Sequence, residues 1–431
     1  MRRMKTTKKI FSLFWLFTAL CLNNAVALDY TDLSSILSDT FHDFTGSNEG
    51  TSSFRSLLIP MGGRSESMGG AFTGLSDDVS FIDHNPAASS IMKESELAVF
   101  HNAWIADSNV ETIAGTTRFG RIGIGGKLSC FYIPFTEYDS FGNRTAGSYY
   151  SETTAAINTS CNFFPGYTFK GLALGFNAKV SWRSVPDYAD NDTNDIISGS
   201  GLEQSAIAIM GDIGMMVQFN FMKFYSSRDT NCRIGLSLMN VGAALTGFGK
   251  RVQIDDPLPT IASFGLSYKL LDATTFSAEF QQPINLFDIG ERQLFSASLG
   301  AEIKITNFFS ALAGFKLKGG NPRFSIGGEF DLFNLRVNAN YTLDLSSSLN
   351  PANHFSLSAK LKLGDNGRAK KRAEVDRLYF MGVEEYAKRN YDKAILHWQQ
   401  TLKLDKFFDP AKQGIKNARK YQAMLKRMEQ I

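Results

Sequence analysis

The sequence predicts an all-β transmembrane barrel of about 14 antiparallel strands, with an N-terminal plug in front and a small C-terminal α-helical unit behind. Three observations predict it. Between Glu96 and Leu363 run some fourteen short stretches that alternate apolar and polar residues, and a period of two means a strand with one apolar face. Ahead of them, residues 62–87 are crowded with glycine and end in Asn-Pro-Ala, a composition that suits a compact plug better than a regular element. Beyond Gly364, glycine nearly vanishes and helical spacing replaces alternation. The mean hydropathy of −0.14 is too polar for a helical membrane protein, and no run of ~18 apolar residues exists. A membrane barrel escapes that test, because only alternate residues meet lipid.

Taken in order, residues 1–9 are basic, 10–22 are apolar, and Ala25, Val26 and Ala27 form a small-x-small cleavage site. This is a complete secretory signal, so residues 1–27 are expected to be removed and the mature chain to start at Leu28. An uncleaved anchor is the rival, but thirteen apolar residues are short for a span. Cys21 raises a lipoprotein alternative, against which Leu20 stands where a small residue is wanted.

Residues 28–94 are expected to form an N-terminal arm and plug. In the arm, Leu33, Ile36 and Leu37 hint at one helical turn. The plug stretch holds Gly62, Gly63, Gly69, Gly70 and Gly74, the acidic pair Asp77 and Asp78, and Asn85, Pro86 and Ala87. Pro86 fixes its own φ and pushes Asn85 out of the helical region. The plain alternative is a set of turns, with the two aspartates a helix cap or a solvated pair.

The alternating runs are 95–104, 109–118, 121–133, 149–163, 170–184, 204–223, 231–240, 260–270, 274–283, 292–304, 307–317, 322–332, 334–343 and 354–363. In one of them Leu172, Leu174, Phe176, Ala178, Val180 and Trp182 share a face, opposite Asn177, Lys179, Ser181 and Arg183. An even strand number places both barrel ends on one side. The connections then sort into mostly long ones near 105, 134, 185, 241, 284, 318 and 344, and mostly tight ones at the other end, the bacterial outer-membrane pattern. A soluble β-sandwich also alternates, but its strands are usually nearer five or six residues. Lys127, Lys179, Arg183, Arg336 and Lys360 fall on lumen-facing positions.

A glycine-rich stretch ending at Asn85, Pro86 and Ala87 ahead of fourteen strands resembles the long-chain fatty-acid transporter (FadL-like) family of bacterial outer membranes. Residues 69–87 look like an uncharacterised spirochaetal branch of it and, more loosely, the outer-membrane shuttle proteins of secretion systems. The likeness covers roughly residues 60–363. It implies a hatch around Gly69, Gly70, Asp77, Asp78, Asn85, Pro86 and Ala87 that shifts to open a passage for hydrophobic molecules, long-chain fatty acids first. Loops 185–203 and 241–259 would capture the ligand through Ile196, Ile197, Leu202, Leu245 and Phe248, and lumen cations such as Lys179 and Arg336 would attract its carboxylate. One departure stands out: Leu363 is followed by an extension, where the family ends on an aromatic residue. The rival class is an outer-membrane docking or assembly protein that binds secreted or envelope partners through its loops and tail; a general porin is disfavoured by the plug.

After a linker at 364–371, residues 372–406 resemble one tetratricopeptide repeat, with Gly382, Tyr391, Ala394 and Trp398 at its small and aromatic positions and Glu385, Thr401 and Lys406 departing from it. A third helix is expected from Pro410 to about Met428. One repeat and a cap fall short of the roughly three needed to bury a core, so the unit must dock on the barrel, self-associate or bind a periplasmic protein. A solvated basic tail is the alternative.

Charge supports this division. The total is +3; residues 1–27 carry +5 and residues 365–431 carry +7, leaving −9 on 28–364. The folded body therefore has no basic nucleic-acid footprint. Cys21, Cys130, Cys161 and Cys232 show no paired spacing for disulfides or metal. No nucleotide, hydrolase or metalloprotease motif is present, and no cofactor or enzymatic activity is expected. His101 and Asn102 resemble two members of the outer-membrane phospholipase triad, but neighbours on a strand point to opposite faces and cannot share one site.

Overall fold

The computed structural model describes residues 52–139, 141–166, 169–184, 205–227, 229–246, 257–288, 293–318, 321–345 and 353–428. The leader, the arm as far as Thr51, and the expected capture residues Ile196, Ile197, Leu202 and Phe248 lie outside these. Leu245 is on a strand, opposite Ile207 in register.

Fourteen antiparallel strands close into a barrel. They are β1 (Ser95–Ala103), β2 (Asn109–Phe119), β3 (Ile122–Tyr138), β4 (Arg144–Phe163), β5 (Leu172–Ser184), β6 (Ala206–Phe219) and β7 (Cys232–Thr246). The second half is β8 (Thr260–Leu271), β9 (Thr274–Ile284), β10 (Ser296–Lys304), β11 (Phe309–Lys318), β12 (Asn321–Leu332), β13 (Leu335–Asp344) and β14 (His354–Gly364). Each strand pairs with its sequence neighbour, and β1 closes on β14, with Val99 opposite Ala359. Closure leaves no sheet edge, which is what a strand-built membrane span requires.

The walls are apolar outside and polar inside. On β5, Phe176, Val180 and Trp182 are exposed while Asn177, Lys179 and Ser181 are buried; Leu299, Ile303 and Ile326 point outward while Ser298, Glu302 and Ser325 point in. A soluble barrel has the opposite arrangement, and an outward apolar surface is the lipid-facing signature.

β3 and β4 run about five residues further than the alternation indicates, pairing out to Tyr138 opposite Arg144. Their tip turns on Asp139, whose carboxylate accepts from the backbone of Phe141 (2.9 Å) and Asn143 (2.8 Å). Past Pro134 both strand faces meet water, so ladder bonds continue where the apolar signal stops. β7 also overshoots, to Thr246, through Asn240 at φ 61.

Both ends of the sheet leave on one side, here the tail end. Three turns there are two residues long: 120–121, 272–273 and 333–334. Beyond β14, Gly367 (φ 76) breaks the chain, and three helices follow: α1 (Arg368–Ala387), α2 (Tyr391–Leu404) and α3 (Asp409–Met428). Residues 52–92 fold back inside the barrel, with single helical turns at Arg64–Ser67, Val79–Asp83 and Pro86–Ile91.

Candidate functional site

Asn85 anchors the plug. Its side-chain oxygen accepts from the backbone of Ala87 (3.1 Å), capping the turn that Pro86 begins. Its amide donates to the Thr73 carbonyl (3.1 Å) within the plug and to the Met215 carbonyl (3.0 Å) on β6. The wall answers: Asn158 donates to the Pro86 carbonyl (2.9 Å) and Asn177 to that of Ile82 (2.9 Å), and Asn177 is held by Asp212 (2.7 Å). A fully buried amide with every group satisfied specifies one seating.

Glycines of the wall let the plug backbone touch it. A methyl group added to Gly314 would lie 2.0 Å from the Gly69 nitrogen, one on Gly235 2.2 Å from the Thr73 oxygen, and one on Gly123 2.1 Å from the Ser89 carbon. Gly74 meets Gly265 in the same way, at 2.5 Å. These wall glycines were not singled out from sequence. Their signal was there: glycine at lumen-facing positions of strands, where it weakens a strand and marks close backbone approach.

Buried ion pairs join plug to wall. Arg64 bonds Asp77 within the plug and Glu302 on β10 (2.5 Å). Asp78 caps Ser80 (2.9 Å) and pairs with Lys360 of β14, and both side chains are 1% exposed. Asp78 is thus neither solvated nor free, while Asp77 is 32% exposed and paired to Arg64. The Val79 nitrogen donates to Glu96 (2.9 Å). Glu279 accepts from the Phe72 and Thr73 nitrogens, each at 2.7 Å.

The plug divides the lumen. The loop-end chamber encloses about 180 Å³; Leu57, Met61, Trp104, Met239 and Ile261 give it apolar walls, and Gly69, Gly70 and His84 lie on its plug side. The tail-end chamber, about 560 Å³, is polar and includes Arg64, Glu96, Glu302, Asp331 and Arg336. Arg64 lines one chamber and Glu66 the other, so a single helical turn separates them.

Lys179 and Arg336 are therefore not brought together. Lys179 lines the loop-end chamber but is engaged by Asp212 (2.8 Å), and Arg336 bonds Asp331 (3.1 Å) at the opposite end. Two cations that sequence reasoning missed do meet in the loop-end chamber: Lys316 on β11 and Arg323 on β12, direct cross-strand partners. Only register reveals them. Lys316 bonds Gln281 (3.3 Å), the buried Nε of Arg323 has no acceptor, and neither forms an ion pair among the described residues. His101 and Asn102 do point apart: His101 meets Glu111 on the exposed side (2.7 Å), while Asn102 donates to the Pro60 carbonyl in the lumen (2.8 Å).

In the tail, Trp398 is clasped between Gly382 and Gly414, where added methyls would approach it to 2.4 and 2.9 Å. Ala394 is fully buried and Tyr391 packs on Tyr386, ring centres 5.4 Å apart. The unit rests on the barrel rim. Arg368 donates to the carbonyls of Arg118 (2.8 Å) and Lys93 (2.6 Å), and the Arg121 guanidinium lies 4.3 Å over the Phe407 ring. Asp229, in the turn between β6 and β7, bridges Lys93 (2.7 Å) and Arg372 (3.3 Å). Burial raises the Asp229 carboxyl, but the Lys93 bond and the two cations outweigh that and hold it at about 2. Asp229→Asn should loosen the tail by no more than about 1 kcal/mol, since the pair is half-exposed; faster proteolysis near Gly367 checks this.

Residues 33–366 match the model of an uncharacterised protein family, UPF0164. The chain belongs to the UPF0164 family. A UPF0164 protein of Treponema pallidum (strain Nichols) is 30% identical over 385 residues, covering 87% of this chain and 85% of that one. A second UPF0164 protein of the same organism is 26% identical over 388 residues, covering 85% and 76%. Among solved structures, the CymD monoaromatic hydrocarbon channel is similar with a TM-score of 0.47 at 14% identity, over 71% of this chain and 98% of its own. The Pseudomonas putida toluene transporter TodX gives 0.41 at 13% identity, over 68% and 96%. The UPF0164 match ends at residue 366, just before α1.

Proposed function

We propose that this UPF0164 protein is an outer-membrane channel for uptake of hydrophobic molecules that carry an anionic head, long-chain fatty acids first, with its tail end in the periplasm. The observation that carries this reading is the Lys316 and Arg323 pair: two cations directly opposite on neighbouring strands, with no ion pair among the described residues, in a chamber that also presents the apolar side chains of Leu57, Met61 and Ile261. Like charges directly opposite on neighbouring strands are destabilising, and a bound carboxylate would relieve them while its chain lies along Leu57, Met61 and Ile261. The outward apolar face supports the membrane location. Passage then requires the Arg64–Ser67 turn to move, because it separates the two chambers. Gly69, Gly70, Asp77, Asp78, Asn85, Pro86 and Ala87 are the hatch in this reading.

The test is to purify the mature chain in mild detergent and quantify co-extracted fatty acids by mass spectrometry. Lys316→Ala with Arg323→Ala should lower bound fatty acid about tenfold or more, as expected for losing hydrogen bonds to a charged group at about 1.5–3 kcal/mol each. Equal recovery from both chains would sink the reading.

The docked tail favours a second reading, in which the rim-bound helices, with their tetratricopeptide-like packing at Gly382, Tyr391, Ala394 and Trp398, recruit an envelope partner. Full uptake after deletion of residues 365–431 would count against it.

A further inference from the structure

The three-helix tail presents one end to the barrel. The start of α1 holds the rim through Arg368, and the end of α2 leads into Phe407, whose ring lies under the Arg121 guanidinium (4.3 Å). At the start of α3, the Asp409 carboxylate would lie 3.6 Å from a methyl added to Gly166, in the connection between β4 and β5. Arg121 belongs to the barrel, in the two-residue turn between β2 and β3. Phe119 and Ile122 beside it are exposed on the outer wall, as are Phe163, Phe164 and Phe169 at the same end of β4 and β5. Aromatic residues girdle a membrane barrel where hydrocarbon gives way to headgroups. Arg121 and Phe407 stand at that level.

The corner carries more positive charge than its own acids answer. Residues 403–416 hold Lys403, Lys406, Lys412 and Lys416 against Asp405 and Asp409. Asp409 bonds Lys412 (3.0 Å), and Asp405 accepts from the Phe407 nitrogen (3.0 Å). The Lys412 ammonium is also 5.8 Å from the centre of the Phe407 ring, so two cations, one from the barrel and one from α3, meet at a single side chain. Arg121 has this ring contact but no carboxylate partner among the described residues.

We propose that this corner binds the headgroup phosphate of an anionic phospholipid in the adjoining leaflet, held between Arg121 and Lys412 while the acyl chains run along Phe119 and Ile122. Continuity and charge select this occupant. The corner adjoins the lipid-facing wall, and a planar guanidinium forms paired hydrogen bonds with phosphate. An acidic protein would answer the charge but not the apolar wall beside it. The phosphate bridges barrel and tail, so the lipid clamps the helices to the rim. The inference rests on the barrel spanning a bilayer, not on what it transports.

The test moves the mature, full-length chain from nanodiscs of mixed phosphatidylglycerol and phosphatidylcholine into mild detergent and reads the retained lipid by native mass spectrometry. Phosphatidylglycerol should be retained in preference. Arg121→Gln with Lys412→Gln should lower that preference about tenfold or more, since each basic residue at an anionic surface contributes roughly a fivefold change. Both side chains are exposed, so the double variant keeps the fold. Lys388→Gln with Lys393→Gln is the charge-matched control. These two flank the turn between α1 and α2, at the far end of a 20-residue helix, about 30 Å from the rim at ~1.5 Å per residue. Hydrogen exchange over residues 403–412 gives a second reading, with protection rising on addition of phosphatidylglycerol in the wild type and not in the site variant. Equal retention of the two lipids by the wild type overturns the inference. So does the same loss in both double variants, which would mean that the diffuse charge of the tail draws lipid. Neither variant alters the lumen, so either result leaves the uptake reading standing.

Discussion

Lys360→Met is expected to cost about 3–5 kcal/mol of plug stability, the usual penalty for stripping one partner from a buried ion pair. Asp78 would remain buried inside the barrel with no cation in bonding contact; Arg64 is 3.8 Å away and already engaged by Asp77 and Glu302. Glu329, 3.5 Å from the Lys360 ammonium, would lose its partner as well. Adding Asp78→Leu should restore much of the loss, because removing both charges removes the desolvation cost along with the attraction. Thermal unfolding in detergent, followed with hydrogen exchange on residues 64–92, reads both variants. A single variant as stable as the wild type would mean that the plug is held by its backbone contacts alone.

Gly314→Val is expected to unseat the plug while leaving the barrel closed. The first added carbon would sit 2.0 Å from the Gly69 nitrogen, and a backbone atom has no rotamer by which to yield. Overpacking of this kind costs about 1–3 kcal/mol and occasionally more, enough to shift a plug held in one seating. Once the Arg64–Ser67 turn lifts, the two chambers join, so single-channel conductance in planar bilayers should rise severalfold. The matched change Gly126→Ala meets nothing nearer than the Ala156 oxygen at 3.6 Å and should leave conductance alone. Unaltered conductance in Gly314→Val would show that the plug tolerates displacement from β11.

The barrel itself was legible in the sequence because a membrane wall is decided locally. Each outward residue meets lipid and each inward one meets a polar lumen, so Phe176, Val180 and Trp182 alternate with Asn177, Lys179 and Ser181 whatever strand lies alongside. The same locality explains the misjudged ends of β3 and β4, where both faces are wet and alternation loses its meaning; β7 runs on past Asn240 instead, where Ala244 packs on the cluster around Phe54. The helices of the tail were equally plain, since Ala394 and Trp398 sit one helical turn apart on α2.

Glycine density around Gly69 and Asn85 marked where the plug chain must turn, but not what it touches. The answer lies in contacts far apart in sequence: Asp78 meets Lys360 across 282 positions and Arg64 meets Glu302 across 238. Closure and register decide such partners, and a one-residue slip would turn every lumen side chain to the lipid face. For that reason Lys179 and Arg336, alike in the sequence, fall in different chambers, while Lys316 and Arg323, unremarkable in it, stand side by side. Strand number, the lipid-facing faces and the helical tail were determined by the sequence alone, through the period of its apolar residues. Which polar residues meet, which chamber each lines and where the tail rests were decided only by the closed barrel, because long-range register leaves no periodic trace.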